Sequence, residues 1–220
     1  MLLHGKRAVI FDLDGTLVDS EDFIVWTFLE AGRITGINVD PLEVRKHIGE
    51  PLDIVLNSVL PGVPEYKLKE FISVRREIVR MHWKTMVKLF PDVKPALDAF
   101  KKKGFLLAVA SSSTLERIVE FLDYYGVLGY FDAISGVAPG VRGKPAPDVI
   151  LQAIKSLGVK PAEAVYVGDR EVDCYASRSA CVDFVYIDRK SLGGFSVSSC
   201  TPVAIISDLT EVLNLLAESE

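Results

Sequence analysis

The chain has 220 residues, 49% of them hydrophobic, so it can bury a full core as one large domain or as a core with a modest insert. A formal charge of -5, with Lys101-Lys102-Lys103 as the only basic triplet, argues against nucleic acid as a partner, because phosphate-backbone binding needs clustered Lys and Arg. No apolar run approaches the ~20 residues of a membrane span and Asp12 comes too early for a signal peptide, so no membrane partner and a cytoplasmic location are expected.

Cys174, Cys181 and Cys200 are odd in number and lack C-x-x-C spacing, so reduced thiols are expected, with neither a disulfide framework nor a zinc site. Ala8 to Phe11 is a short apolar run with β-branched residues, bounded by Arg7 before and Asp12-Leu13-Asp14-Gly15 after. It reads as a buried strand that ends in a turn carrying two acids. From Asp19 to about Lys88 the spacing becomes helical, and Gly36, Pro41, Gly49-Glu50-Pro51 and Pro61-Gly62-Val63-Pro64 divide it into roughly four helices. The last of these carries Arg75, Arg76, Arg80, His82 and Lys84, a mostly solvated face from which one residue could meet an anionic substrate. The expected domains are a core of residues 1–18 and 91–220 with a helical insert at 19–90.

Beyond Phe90-Pro91-Asp92 strands and helices alternate. A helix is expected from Val93 to Lys103, a strand from Phe105 to Ala110 running into Ser111-Ser112-Ser113-Thr114, and a helix from Leu115 to Tyr125. A short strand at Ala133 to Ser135 precedes a loop to Lys144-Pro145, and Asp148 opens a helix to Leu157. Ala164 to Val167 is a strand ending in Gly168-Asp169-Arg170-Glu171-Val172-Asp173. Val182 to Ile187 and Val203 to Ile206 add strands around a Gly/Ser-rich loop at Gly193 to Ser199, and Leu209 to Ala217 closes with a helix. Strands separated by helices of this length imply an α/β fold with a doubly wound, mostly parallel sheet, in which residues after each strand converge on one edge.

That edge receives Asp12 and Asp14, Ser111 with Ser112 beside it, Lys144, and Asp169 and Asp173. Acids gathered with so few cations repel, and a bound divalent ion relieves the repulsion. Ligands that offer only oxygen select a hard cation, and Mg²⁺ is the one that keeps waters and bridges to phosphate. Ser111 and nearby backbone N–H groups can hold phosphate oxygens, and Lys144 can neutralise both the phosphate and a nucleophile. Phosphoryl transfer then follows, and without a Walker loop the route is attack by an Asp. Asp12 is the expected nucleophile and Asp14 the acid and then base.

Asp12-Leu-Asp14-Gly15-Thr16, the strand ending at Ser111, Lys144-Pro145 and Gly168-Asp169-Arg170-Glu171-Val172-Asp173 resemble, in order, the four motifs of the haloacid dehalogenase superfamily. The resemblance implies a Rossmann-like core and Mg²⁺ bound by the Asp12 carboxylate, the Asp14 main-chain carbonyl and Asp169, with Asp173 orienting metal waters or Lys144. It implies phosphate held by Ser111 and Lys144, and a mobile cap after Asp19 that excludes water and selects the substrate.

Dehalogenases of the family attack carbon and lack an acid at the place of Asp14. Phosphosugar mutases resembling β-phosphoglucomutase carry a His and an Arg where this chain has Ile24 and Leu52, and phosphonate-hydrolysing relatives need a cap Lys that is not evident. The expected activity is therefore hydrolysis of a small phosphomonoester, a sugar phosphate or a phosphoglycolate-like molecule, by a monomer or homodimer. The alternatives are a mutase, or a protein that only binds a phosphorylated metabolite or a partner. Glu50 is the cap residue expected to reach the substrate, whereas His4, His47 and His82 are expected at the surface or in packing. Arg170 replaces the Ser, and Ala180-Cys181 the Ala-Gly, of many relatives, so local packing near Asp169 is expected to differ.

Overall fold

In the computed structural model, which describes residues 3–189 and 200–216, β1 (Ala8–Phe11) is the strand that the apolar run predicts, and all four of its residues are buried. Val9 and Phe11 pack into one hydrophobic cluster and Ala8 and Ile10 into another, so the strand has apolar layers on both faces. This explains the continuous apolar run, since alternation marks a strand with one wet face.

Next come β2 (Val18–Asp19) and the four helices α1 (Glu21–Thr35), α2 (Pro41–His47), α3 (Leu52–Val59) and α4 (Glu65–Met86). They enclose a third cluster that includes Phe28, Val44, Leu56 and Phe71. The chain returns through β3 (Lys88–Leu89), which pairs antiparallel with β2, so both connections between the helices and the sheet run side by side. Two residues per strand are too few to register in a sequence pattern, and this ribbon was not expected.

The remainder is α5 (Val93–Lys102), β4 (Leu106–Thr114), α6 (Leu115–Tyr124), β5 (Ala133–Val137), α7 (Asp148–Leu157), β6 (Ala164–Gly168), α8 (Glu171–Ser179), β7 (Asp183–Ile187), β8 (Ala204–Ile206) and α9 (Glu211–Leu215). The sheet order is β5-β4-β1-β6-β7-β8, with every neighbouring pair parallel. β1 at the centre, flanked by β4 and β6, places the ends of all three strands together. The strand β4 runs farther than expected, to Thr114, because Thr114 pairs with Val137 after a register shift. The expected loop at Gly193 to Ser199 and the end of the last helix at Ala217 lie outside the described residues.

Helix α8 was missed. Its signal lay in Asp173, third residue of the helix, whose carboxylate accepts from the Arg170 N–H at 2.9 Å, half of a capping box. The expectation of three reduced thiols is also corrected: Cys174 of α8 is disulfide-bonded to Cys200, 26 residues on, while Cys181 is free and exposed. Cysteine spacing cannot reveal a pairing that depends on α8 and the approach to β8 meeting in space. Cys181 has φ +57°, so a non-glycine residue occupies left-handed backbone there. Among the described residues no helix is long and apolar enough to cross a membrane.

Candidate active site at the sheet edge

Asp12 directly follows β1, and its N–H donates to Val167 O of β6 at 2.9 Å, which keeps the turn tied to the sheet. Gly15 then adopts φ +83°, and a Cβ there would stand 2.2 Å from Asp169 Oδ2, so only glycine allows the first and last acidic loops to approach this closely. At Gly168 a Cβ would meet Asp173 Cγ at 2.5 Å. As a result Asp12, Asp169 and Asp173 each offer a carboxylate oxygen within 4.8 Å of the others.

Lys144, fully buried, enters this cluster from the loop after β5. Its Nζ lies 2.5 Å from Asp173 Oδ1 and 2.6 Å from Asp12 Oδ1, the latter an ion pair without aligned hydrogen-bond geometry. It also donates to Tyr166 Oη at 3.3 Å, and Tyr166 in turn donates to Ala110 O at 2.8 Å. Tyr166 was not anticipated in the site, although a Tyr inside the buried run Ala-Val-Tyr-Val demands a partner for its hydroxyl.

Burial pushes the Asp12 carboxyl up to about 8; Lys144 opposes this, and Asp173 and Asp169 add to it. Asp169 rises to about 7 for the same first reason, partly relieved by Arg170. Lys144 behaves oppositely: burial works against its charge, but Asp12 and Asp173 outweigh it and hold the ammonium above its ordinary range. With only Lys144 buried among the three acids, the cluster has spare negative charge, and its oxygen-only donors fit a hard divalent cation.

Asp14 stands apart from that cluster. Its Oδ1 accepts from Ser20 Oγ at 2.6 Å and lies 3.4 Å from an Arg117 Nη, while Oδ2 accepts from Ser113 Oγ at 3.2 Å. Ser111 is buried, its Oγ accepting from the Ser113 N–H at 3.2 Å, and Ser112 Oγ accepts from the Lys144 N–H at 3.0 Å. Ser113 and Arg117 were absent from the expected site. The serine run and the start of α6 held them, but nothing in their spacing marks which side chain turns toward Asp14.

A cavity of about 710 Å³ opens on Asp12, Asp14 and Ser111 to Ser113 and is walled by α1, α3, α4 and the loop between α2 and α3. Ile24, Phe28, Ile48, Leu52 and Val55 supply apolar wall, and Glu50 lines it with Oε2 2.9 Å from His47 Nδ1. Arg75 also lines it, unlike Arg76 and Arg80, which are exposed. Burial, and Arg117 beside it, push the Arg75 guanidinium down to about 9, against a smaller pull from Asp14. His82 packs edge-on against Trp26, with ring centroids 5.2 Å apart.

Arg170 joins the sheet edge to the helices. Its Nε lies 3.2 Å from Asp169 Oδ2, one Nη donates to Glu21 Oε2 at 2.7 Å and the other to Arg45 O at 3.3 Å. Arg45 itself pairs with Glu21 and Asp22.

A family model described as haloacid dehalogenase-like hydrolase matches residues 9–187. Phosphoglycolate phosphatase of Aquifex aeolicus (strain VF5) is 33% identical over 175 residues, covering 79% of this chain and 81% of that protein. Pyrophosphatase PpaX of Bacillus velezensis (strain DSM 23117 / BGSC 10A6 / LMG 26770 / FZB42) is 26% identical and covers 94% of this chain and 95% of its own. Among solved structures, a predicted phosphatase from Clostridium acetobutylicum is 26% identical with a TM-score of 0.81, covering 95% of this chain and 97% of that one. A predicted phosphoglycolate phosphatase from Haemophilus somnus 129pt shares the fold, with a TM-score of 0.85 at 22% identity over 97% of this chain and 99% of that one.

Proposed function

The chain belongs to the haloacid dehalogenase-like hydrolases, and from that premise we propose that it is a Mg²⁺-dependent phosphatase that hydrolyses a small phosphomonoester through an aspartyl-phosphate on Asp12. The observation that carries the proposal is the burial of Asp12 at the end of the central strand, against Lys144 and within reach of Asp169 and Asp173. A carboxylate placed so, with cationic charge on one side and an open pocket on the other, suits in-line attack on phosphorus.

Asp12, the Asp14 carbonyl, Asp169 and Asp173 would hold the Mg²⁺, directly or through its waters, and the ion would supply the positive charge that keeps Asp12 ionised and neutralises the phosphoryl oxygens. Ser111, Ser112 and Lys144 bind the phosphoryl group. Asp14, outside the acidic cluster and steadied by Ser20 and Ser113, gives a proton to the leaving alcohol and then takes one from the water that cleaves the acyl phosphate. The four helices act as a cap over the reaction, with the β2–β3 ribbon as its hinge. The names of the relatives, a phosphoglycolate phosphatase and a pyrophosphatase, support a small, strongly anionic substrate. Glu50 reaches that substrate from the cap. Ile24 and Leu52 on the pocket wall leave it without the His and Arg that a mutase would need there, which argues against the mutase reading.

An aryl phosphate assay tests the proposal. Turnover should require Mg²⁺, stop on chelation and be lost in Asp12→Asn. Full activity of metal-replete Asp12→Asn would overturn the covalent route.

A further inference from the structure

We infer that Arg75 of α4 and Arg117 of α6 form a second anion subsite in the substrate pocket, so that the preferred phosphoester carries a further acid group on its alcohol side. The inference rests on the phosphatase reading and deepens it, by naming what the cap selects.

The two arginines reach the pocket from different parts of the chain, one from the last cap helix and one from the helix after the serine run. Arg75 is held in place on two sides. Its guanidinium lies 4.2 Å above the Phe28 ring centroid, and its Nε donates to Thr27 Oγ1 at 3.1 Å. Thr27 Oγ1 spends its own proton on Ile24 O at 2.7 Å, so the oxygen presents a lone pair to Arg75. These contacts fix the guanidinium where Arg75 lines the pocket, with its Nε already committed to Thr27. Among the described residues no carboxylate lies within ion-pair distance of Arg75, whereas Arg80, five residues on, is paired with Glu77 on the outer face of the same helix. A partly buried guanidinium stacked on an aromatic ring, without a carboxylate in ion-pair distance, is placed to take a ligand anion.

Arg117 has one carboxylate, Asp14 at 3.4 Å, and a buried Nε without a hydrogen-bond partner. Two guanidinium groups thus share the single charge of Asp14. The wall also carries Asp12, Glu50 beside His47, the exposed Asp53, and Arg142, which is paired with Asp148. Among the described residues a single carboxylate, Asp14, lies within ion-pair distance of either guanidinium, and as planar forks the two match a carboxylate or phosphoryl group.

The position relative to Asp14 narrows the substrate. Asp14 is the proposed donor to the leaving oxygen, and Arg117 touches Asp14 on one side while Arg75 feels its charge. A group held by the arginines must therefore be carried by the leaving fragment, a few atoms from the ester oxygen. A sugar phosphate offers only hydroxyls there.

The test compares kcat/KM for 2-phosphoglycolate with that for 2-hydroxyethyl phosphate, which replaces the carboxylate by an alcohol, at saturating Mg²⁺. Inorganic pyrophosphate forms a further arm and distinguishes a carboxylate from a phosphoryl occupant. Wild type should favour an acid-bearing substrate, and the ratio should fall by about 10- to 100-fold in Arg75→Gln, the range for losing one charge-assisted hydrogen-bonded contact. Arg75→Lys should recover part of it. A ratio near one in wild type, or an unchanged ratio in Arg75→Gln, would overturn the subsite. If Arg75→Gln does not fold, the wild-type ratio and Arg75→Lys decide. If no ester is turned over, the phosphatase reading fails by itself. The subsite is then tested by calorimetric binding of 2-phosphoglycolate, and equal affinity in wild type and Arg75→Gln would overturn it.

Discussion

Replacing Lys144 by Met keeps the length of the side chain and removes the one cation buried between Asp12 and Asp173. The side chains concerned are 0–2% exposed, so water cannot take over the neutralisation. Removing one partner of such a buried pair costs about 3–5 kcal/mol. For a chain of this size each kcal/mol moves Tm by about 2–4 °C, so the metal-free protein should melt roughly 6–20 °C lower. The loss should depend on pH. Asp12 is raised to about 8 and Asp169 to about 7, both above their unfolded values. Their contribution is therefore fully present below about pH 4 and is lost as pH rises through 7 to 8, when the native state must give up protons it holds more tightly than the unfolded chain does. Without Lys144 the carboxyls are pushed higher still, so the Tm gap between variant and wild type should widen from about pH 5.5 to about pH 8.5. Scanning calorimetry in the presence of a chelator measures it. A gap that is equal at both pH values, or smaller than about 2 °C, would refute the assignment of Lys144 as the neutralising charge.

Three further outcomes follow from the same geometry. Divalent-metal affinity should rise by about tenfold or more between pH 6 and 8, because Asp12 and Asp169 must shed protons to bind; calorimetry in buffers of different ionisation heat should show proton release near pH 7, and its absence would contradict the raised carboxyls. Gly15→Ala places a Cβ 2.2 Å from Asp169 Oδ2 at φ +83°, and should cost about 1–3 kcal/mol in a denaturant melt together with a marked loss of metal affinity. Cys200→Ser opens the Cys174–Cys200 link and should destabilise by about 3 kcal/mol, a loss that reductant reproduces in the wild type; a melting curve unmoved by reductant would count against the bond.

The order of strands and helices in the sequence was enough to bring Asp12, Ser111, Lys144 and Asp169 to one edge. A parallel sheet built from right-handed crossovers leaves the carboxyl ends of its strands on the same side whatever the loops do. The four helices between β2 and β3 were legible for a comparable reason, since Gly and Pro mark their ends. Local signals missed what local length could not show: the two-residue strands of the β2–β3 ribbon, and α8, whose start is marked mainly by Asp173.

Pairings were decided by tertiary structure alone. Cys174 meets Cys200 because α8 and the approach to β8 pack together, and Tyr166 joins Lys144 because both are buried beside β4. Arg170, legible only as a departure from Ser, becomes a tie from Asp169 to Glu21 and the backbone of α2. Arg75 looked like one of several basic residues on a solvated helix face, and only packing against Phe28 and Thr27 turns it into the pocket. The chemistry at the sheet edge is written in consecutive residues, since strand ends carry it. The pocket wall is spread over α1, α4 and α6, and contacts between residues that distant in sequence have no period or spacing to be read from.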